Sequence, residues 1–455
     1  MNYYQNKINS TLFALGALLS LVSLVDAAPR AILVEEVKND QSSFYVRVDV
    51  DRSDRTYVVG ETVKINAISE KAGYLYLFYL QADKKVVCLF PNKVQQNNKI
   101  AANSKITIPS QNSGFRLRVG EPVGTEILKA VVTQQPLKSL DLDILTKSNF
   151  TFIDDNDAKA INVEATNTES REWAEHMVAI KTVKTASERK TRQQTHRRIA
   201  VLIGISDYKD PRIPELRICH LDSEKMGEAL KKYGDFDEVI SLVNEQATLK
   251  NIENLIRIKA PEMTKPGDEV LIFWSGHGDS IADTDGDEKD GRDELLVPYD
   301  AKIEDKKQTC ITDDVFGRWL QALDGRNIVV LLDACKSGGQ ANNEKGLNPS
   351  KSVIEGFDFL DGEFARTKDI GQKQAAVLAS SRASQISLVR REGDLSVMTY
   401  FLIERIKSSS GKLTLQDAYK HLANDIPNYV KDKFPGHTQT PVLIGNEELD
   451  FNFKK

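Results

Sequence analysis

The 455-residue sequence predicts two folding units of different class: an N-terminal all-β, sandwich-like domain and a C-terminal α/β domain whose mainly parallel sheet carries helices on both faces. The hydrophobic period decides this. Over residues 42–145 apolar and polar residues alternate, as half-buried strands require, whereas after Arg198 short apolar runs alternate with segments of helical spacing. Between them lies a stretch rich in charge and poor in pattern.

Length supports the division, since a chain of this size can bury two or three separate cores. Composition narrows the function. With 61 basic against 66 acidic residues the net charge is −5, so no overall field draws the chain to nucleic acid or to an anionic membrane, and recognition must be local. The four cysteines, Cys88, Cys219, Cys310 and Cys335, are too few and too scattered for a disulfide framework, and no CxxC or His/Cys spacing suggests zinc.

The chain opens with the pattern of a secretory signal: Lys7 in the n-region, the apolar run LFALGALLSLVSLV at 12–25, and a small-residue cleavage site at Val25, Asp26 and Ala27. That run is shorter than the roughly 20 residues of a membrane span. Residues 1–27 are therefore expected to be a removable signal peptide, leaving an exported protein, periplasmic or extracellular, without a stable membrane span.

Within 42–150 the segments FYVRVDV, TVKINAI, YLYLFYL, KVVCLF, KITIP and ILKAVVT read as strands separated by turn signals, and nothing among them looks catalytic. The aromatic run at 74–79 reads as a packed strand. Residues 151–197 read as a charged linker that admits a helix over 172–183. It ends in KTVKTASERKTRQQTHRR, a basic run without interleaved aromatics that suits solvent and offers proteases a target.

In the α/β domain, residues 198–446, the strands IAVLIGI, EVISLV, EVLIFW, NIVVLL and AAVLAS alternate with helical segments. Two of these strands run into glycine-rich turns that carry chemistry. The first ends in Ser275-Gly276-His277-Gly278 and the second in Asp333-Ala334-Cys335-Lys336-Ser337-Gly338-Gly339. Alone, His277 suits a satisfied loop histidine and Cys335 a buried structural thiol. Together they put an imidazole and a thiol at strand ends, where an open sheet binds ligands. The His or nearby dipoles can raise the thiolate fraction, the imidazole can protonate a leaving amine, and the N–H groups of Gly278 and Cys335 can face an oxyanion.

WSGHGDS and LLDACKSGG resemble the two catalytic motifs of caspases, metacaspases and bacterial caspase-like peptidases, and His277 precedes Cys335 at about the caspase spacing of 50 residues. RIAVLIGISDY, DGRDELLVPYDA, VLASSRASQIS, MTYFLIERI and QTPVLIGN match the family in order, and the N-terminal domain resembles an uncharacterised bacterial β-domain found beside such peptidases. The resemblance implies a cysteine endopeptidase with a His277/Cys335 dyad acting on peptides or proteins. Metacaspases cut after Arg or Lys using two acidic pocket residues that match Asp222, in CHLD, and Asp333; an ordinary helix N-cap is the competing account of Asp222. Basic sites in the linker and at Lys345, Lys351, Arg366 and Lys368 then suit self-processing.

No cofactor is required by this chemistry, and calcium is an open option. Calcium-using relatives draw ligands from positions that match Asp293, Asp313 and Asp314, while Asn342 stands where they have an aspartate; the acidic run at 283–294 lacks the glycine an EF-hand needs at position six. Asp313 and Asp314 equally suit the start of a helix. Most relatives place a His directly after the nucleophile, where this chain has Lys336. The alternative is therefore an inactive caspase-like scaffold or cell-envelope binding protein acting through its β-domain. A nucleotide-binding domain is set aside, because neither dinucleotide nor P-loop glycine motif occurs.

Overall fold

The structure is a computed structural model, and it describes residues 38–39, 42–111, 113–138, 145–147, 151–153, 172–282, 292–334, 374–382 and 385–455. The signal-peptide segment lies outside them. Among the described residues no helix is long and apolar enough to cross a membrane.

The N-terminal strands are β1 (Val46–Val50), β2 (Thr56–Val58), β3 (Ile65–Ser69), β4 (Gly73–Leu80), β5 (Val86–Phe90), β6 (Ile106–Ile108), β7 (Gly124–Thr133), β8 (Thr151–Ile153) and β9 (Trp173–Val183). A larger sheet runs β8-β5-β4-β7-β9-β2, and a smaller one runs β1-β3-β6. Alternation does what the sequence suggests. On β1 every second residue is buried, and Val46, Val48 and Val50 meet Leu75, Leu77, Leu128 and Ala130 of the larger sheet in one core. The aromatic run at 74–79 is indeed a packed strand, part of β4.

Over 173–183 the expected charged linker and its helix are replaced by β9, while residues 154–171 lie outside the described residues. This strand pairs antiparallel with β7 from Gly124↔Thr182 to Thr133↔Trp173. Its charges mislead because they are absorbed internally: Glu175 faces Lys129 of β7 at 3.5 Å and Arg257 of the following unit at 2.6 Å, and His176 accepts the Val48 amide on Nδ1. With Glu175 and His176 so partnered, most of WAEHMVAIKTV is buried, as a strand inside a sheet can be. The helix comes later, α1 (Ala186–Gln194), where Thr185 accepts the Glu188 amide as its cap.

The second unit contains β10 (Arg198–Gly204), α2 (Cys219–Tyr233), β11 (Glu238–Val243), β12 (Glu269–Ser275), β13 (Gly278–Ala282), β14 (Arg292–Leu296), α3 (Asp313–Gln321), β15 (Asn327–Asp333), β16 (Ala375–Ala379), α4 (Val397–Ser408), α5 (Leu415–Lys433) and β17 (Val442–Gly445). Its main sheet is β11-β10-β12-β15-β16-β17, parallel except for β17. Every residue of β10 and β12 is buried, as a sheet covered on both faces demands. Residues of α2, α4 and α5 cover one face; α3 and the π-helical turn Leu255–Lys259 cover the other.

The units join through ions. The Asp324 carboxylate, after α3, receives Arg47 at 2.5 Å and Arg55 at 3.1 Å, and Arg318 lies over the Tyr45 ring at 4.7 Å. Burial, with Arg47 and Arg55 adding to it, pushes His176 down from 6.5 to about 4. A histidine whose folded pKa is depressed binds its proton more readily when unfolded, so stability rises with pH between about 4 and 6.5 and is lost on acidification through that window. The shift corresponds to about 3 kcal/mol. Urea unfolding should therefore weaken by that order between pH 6.5 and 4, and His176→Gln should flatten the dependence.

Candidate active site

Three parallel strands end on one rung, with Gly204, Ser275 and Asp333 side by side. Ligands bind outside such carboxyl ends. Gly204 is required by contact: a Cβ there would come within 2.5 Å of the Cys219 carbonyl oxygen and 2.6 Å of the Ser223 Cβ. Its bare Cα lets the first turn of α2 sit on the strand end and brings Asp222 over Ser275, whose hydroxyl donates to Asp222 Oδ2 at 2.7 Å.

Asp222 also accepts the Ser396 amide on Oδ1 at 2.8 Å and the Ser396 hydroxyl on Oδ2 at 2.5 Å. Asp333 accepts the Ser387 hydroxyl at 2.5 Å and the Thr399 hydroxyl at 2.9 Å. All of these residues are fully buried. Ser396 is the N-cap residue of α4, yet its hydroxyl serves Asp222 and caps no amide of its own helix. The start of α4 thus ties the two carboxylates together, and its dipole favours negative charge there. The N-cap account of Asp222 fails, since α2 begins at Cys219 with Ile218 before it and Asp222 turns to Ser275 and Ser396 instead.

His277 follows β12 and is buried. Its backbone N–H donates to the Tyr208 hydroxyl at 2.9 Å, its ring centroid lies 5.0 Å from that of Tyr208, and its Nε2 sits 2.7 Å from the Pro214 carbonyl oxygen. A carbonyl only accepts, so Nε2 carries the hydrogen and Nδ1 is the basic nitrogen of the neutral ring. Gly276 makes room, because a Cβ would stand 3.1 Å from Trp274 Nε1 and 3.3 Å from the Tyr208 hydroxyl. Gly278 opens β13. The Val297 amide donates to the His277 carbonyl at 3.2 Å, which makes the next pair, Gly278↔Leu296, the one whose N–H groups point away from each other. The Gly278 amide is thereby turned away from β14.

Cys335 follows Ala334 and lies outside the described residues, as do Lys336, Asn342, Lys345, Lys351, Arg366, Lys368 and residues 283–291. Two other thiols are chemically quiet: burial pushes Cys88 and Cys310 up to about 12. Pairing of Leu295 with Thr312 sets Asp293 and Asp313 at one end of the small sheet, and Asp313 and Asp314 occupy the first turn of α3, which Thr312 caps. Among the described residues no group of three or more His, Cys, Asp or Glu side chains is arranged to hold a metal ion.

The sequence reading missed Tyr208, Pro214, Ser275, Ser387, Ser396 and Thr399. Ser275 had a local signal as the residue two before the histidine, and Tyr208, Ser387 and Thr399 fall within the segments that match the family.

The family model described as the caspase domain matches residues 197–448, more than half of the chain. The chain belongs to that family. This bears out the caspase-like resemblance. A domain of unknown function (DUF4384) matches residues 56–136. Metacaspase-1 of Kluyveromyces lactis is 32% identical over 154 residues, 32% of this chain and 34% of that protein. Metacaspase III c of Phaeodactylum tricornutum is 36% identical over 184 residues, 37% of this chain and 53% of that protein. The match thus spans about a third of the fungal relative and about half of the diatom one. Among solved structures, protein GSU0716 from Geobacter sulfurreducens (22% identity, TM-score 0.40, 55% of this chain and 94% of that one) and Caspase-1 from Spodoptera frugiperda (14%, TM-score 0.37, 57% and 93%) are similar.

Tyr208→Phe should cost about 1–3 kcal/mol of stability, because it leaves the His277 amide buried without its acceptor. Chemical denaturation checks this, and an unchanged midpoint would remove Tyr208 from its role.

Proposed function

We propose that this caspase-domain chain is an exported cysteine endopeptidase, periplasmic or extracellular, that cleaves peptide bonds after Arg or Lys. The observation that carries the reading is the pair of buried carboxylates, Asp222 and Asp333, linked through the start of α4 at the same sheet edge as His277. A guanidinium or ammonium entering between them would recover part of the cost of keeping two carboxylates out of water, and Arg could bind them bidentately.

In the proposed reaction the Cys335 thiolate attacks the scissile carbonyl carbon and the carbonyl oxygen becomes an oxyanion facing the Gly278 amide. His277 then gives a proton to the departing amine as the C–N bond breaks, leaving a thioester. Water, losing its proton to His277, adds to the thioester; collapse releases the carboxylic acid and returns the thiolate. Fixing Nε2 on Pro214 assigns this traffic to Nδ1. Lys336, next to the nucleophile, favours the thiolate. The linker sequence and Lys345, Lys351, Arg366 and Lys368 are candidate sites of self-cleavage.

A library of fluorogenic peptides varied at P1, with and without calcium, tests all of this. Release after Arg or Lys that disappears in Cys335→Ala and falls at least a hundredfold in kcat/KM in Asp222→Asn is the expected result. Cleavage after Asp would discard the roles given to Asp222 and Asp333. Fragments of the chain that persist in Cys335→Ala would rule out self-processing.

A further inference from the structure

A cavity of about 180 Å³ opens between the two sheets of the N-terminal domain. Aliphatic walls come from Ile65, Leu89, Leu117 and Ile180, with Tyr79, Gln81, Glu126 and the exposed Arg118 as polar members. A dry apolar cavity of about 150 Å³ is enough for benzene, so this one holds a single ring or a short alkyl chain.

Glu126 is the anomaly. Its residue surface is 3% exposed, and a glutamate is almost never buried so deeply without a cation. Tyr79 donates to Oε2 at 2.6 Å and the Thr182 hydroxyl donates to the same oxygen. Among the described residues no lysine or arginine nitrogen lies within 4.0 Å of the carboxylate. Lys181 is next to Thr182 on β9, but strand alternation sends it to the other face, where it reaches Thr125 at 3.4 Å. Burial raises the Glu126 carboxyl above the usual range, and the nearby Asp83 adds to the shift.

We propose that this cavity is a binding site for a small alkyl- or arylammonium compound, whose apolar body fills the aliphatic walls and whose ammonium pairs with Glu126. Such a cation supplies up to three donors to a carboxylate whose hydrogen-bond donors, the Tyr79 and Thr182 hydroxyls and the Ala82 backbone, are all neutral. An anionic group brought to Glu126 would be repelled, and an uncharged ligand would add no charge to offset the carboxylate. The site is separate from the proposed peptidase chemistry.

Isothermal titration of the full chain at pH 7.5 with n-hexylamine, phenethylamine, n-hexanol and hexanoate tests the inference. Saturable binding of both amines is expected, at least tenfold tighter than hexanol, with no binding of hexanoate. Glu126→Gln should weaken the amines at least tenfold with little change in melting temperature, and Val63→Phe, at a partly exposed wall position, should weaken them by filling the space. No saturable heat with either amine, equal affinity for hexanol and hexylamine, or unchanged amine binding by Glu126→Gln would each overturn it. The alcohol and acid comparisons use the unaltered protein, so they decide even where a variant fails to fold.

Discussion

Two carboxylates held out of water, Asp222 and Asp333, constrain the whole carboxyl edge of the α/β sheet. Isolated in a low-dielectric interior, either would be too costly to keep charged. Donors must therefore converge on them, and those donors come from elements far apart in the chain: Ser275 at the end of β12, Ser387 before α4, and Ser396 and Thr399 at its start. Satisfying the carboxylates fixes where α2 and α4 begin relative to the sheet. That requirement explains the glycine at 204, where any side chain would drive α2 away from the strand. It also accounts for the Ser396 hydroxyl capping no amide of its own helix, since that hydroxyl is engaged by the buried Asp222 carboxylate.

A second set of charges works at the joint between the units. Glu175 takes Lys129 from its own sheet and Arg257 from the π-helical turn that packs on the α/β sheet; Coulomb attraction from both, opposing burial, holds it down at about 2. Burial pushes Lys129 down to about 8 even with Glu175 beside it. Breaking such a pair is expensive because it strands a charge, while forming it gains little over an apolar contact. The joint is accordingly better suited to fixing one relative arrangement than to adding stability. Ile258, one residue from Arg257, packs on the aromatic face of the larger β-sheet, so the same turn anchors both the ionic and the apolar parts of the contact.

Much of this was legible in the sequence, and the failures have physical reasons. Period two announced the strands of the β-domain and continuous apolar runs announced β10, β12 and β15, because burial of one face or two writes itself directly into local pattern. The motif around His277 stood out for a related reason, since bare glycines beside a functional side chain mark close backbone approach. Strand β9 was misread because its charges are neutralised by partners distant in sequence, and a one-dimensional reading sees the charge without the partner. The same holds for the hydroxyls around Asp222 and Asp333. Serine and threonine at 275, 387, 396 and 399 are individually unremarkable, and only the fold shows that they converge.

The choice of neutral donors has a further consequence. Among the described contacts the donors to the two aspartates are hydroxyls and one amide, which stabilise negative charge by orientation and do not cancel it. An arginine in the same place would have given a more stable but electrically finished core. On the proposed reading, a cation arrives with the substrate. The gap between hydrogen-bond satisfaction and charge neutrality is then where P1 selectivity would originate: a neutral side chain would find donors already engaged, and an acidic one would meet two like charges at short range.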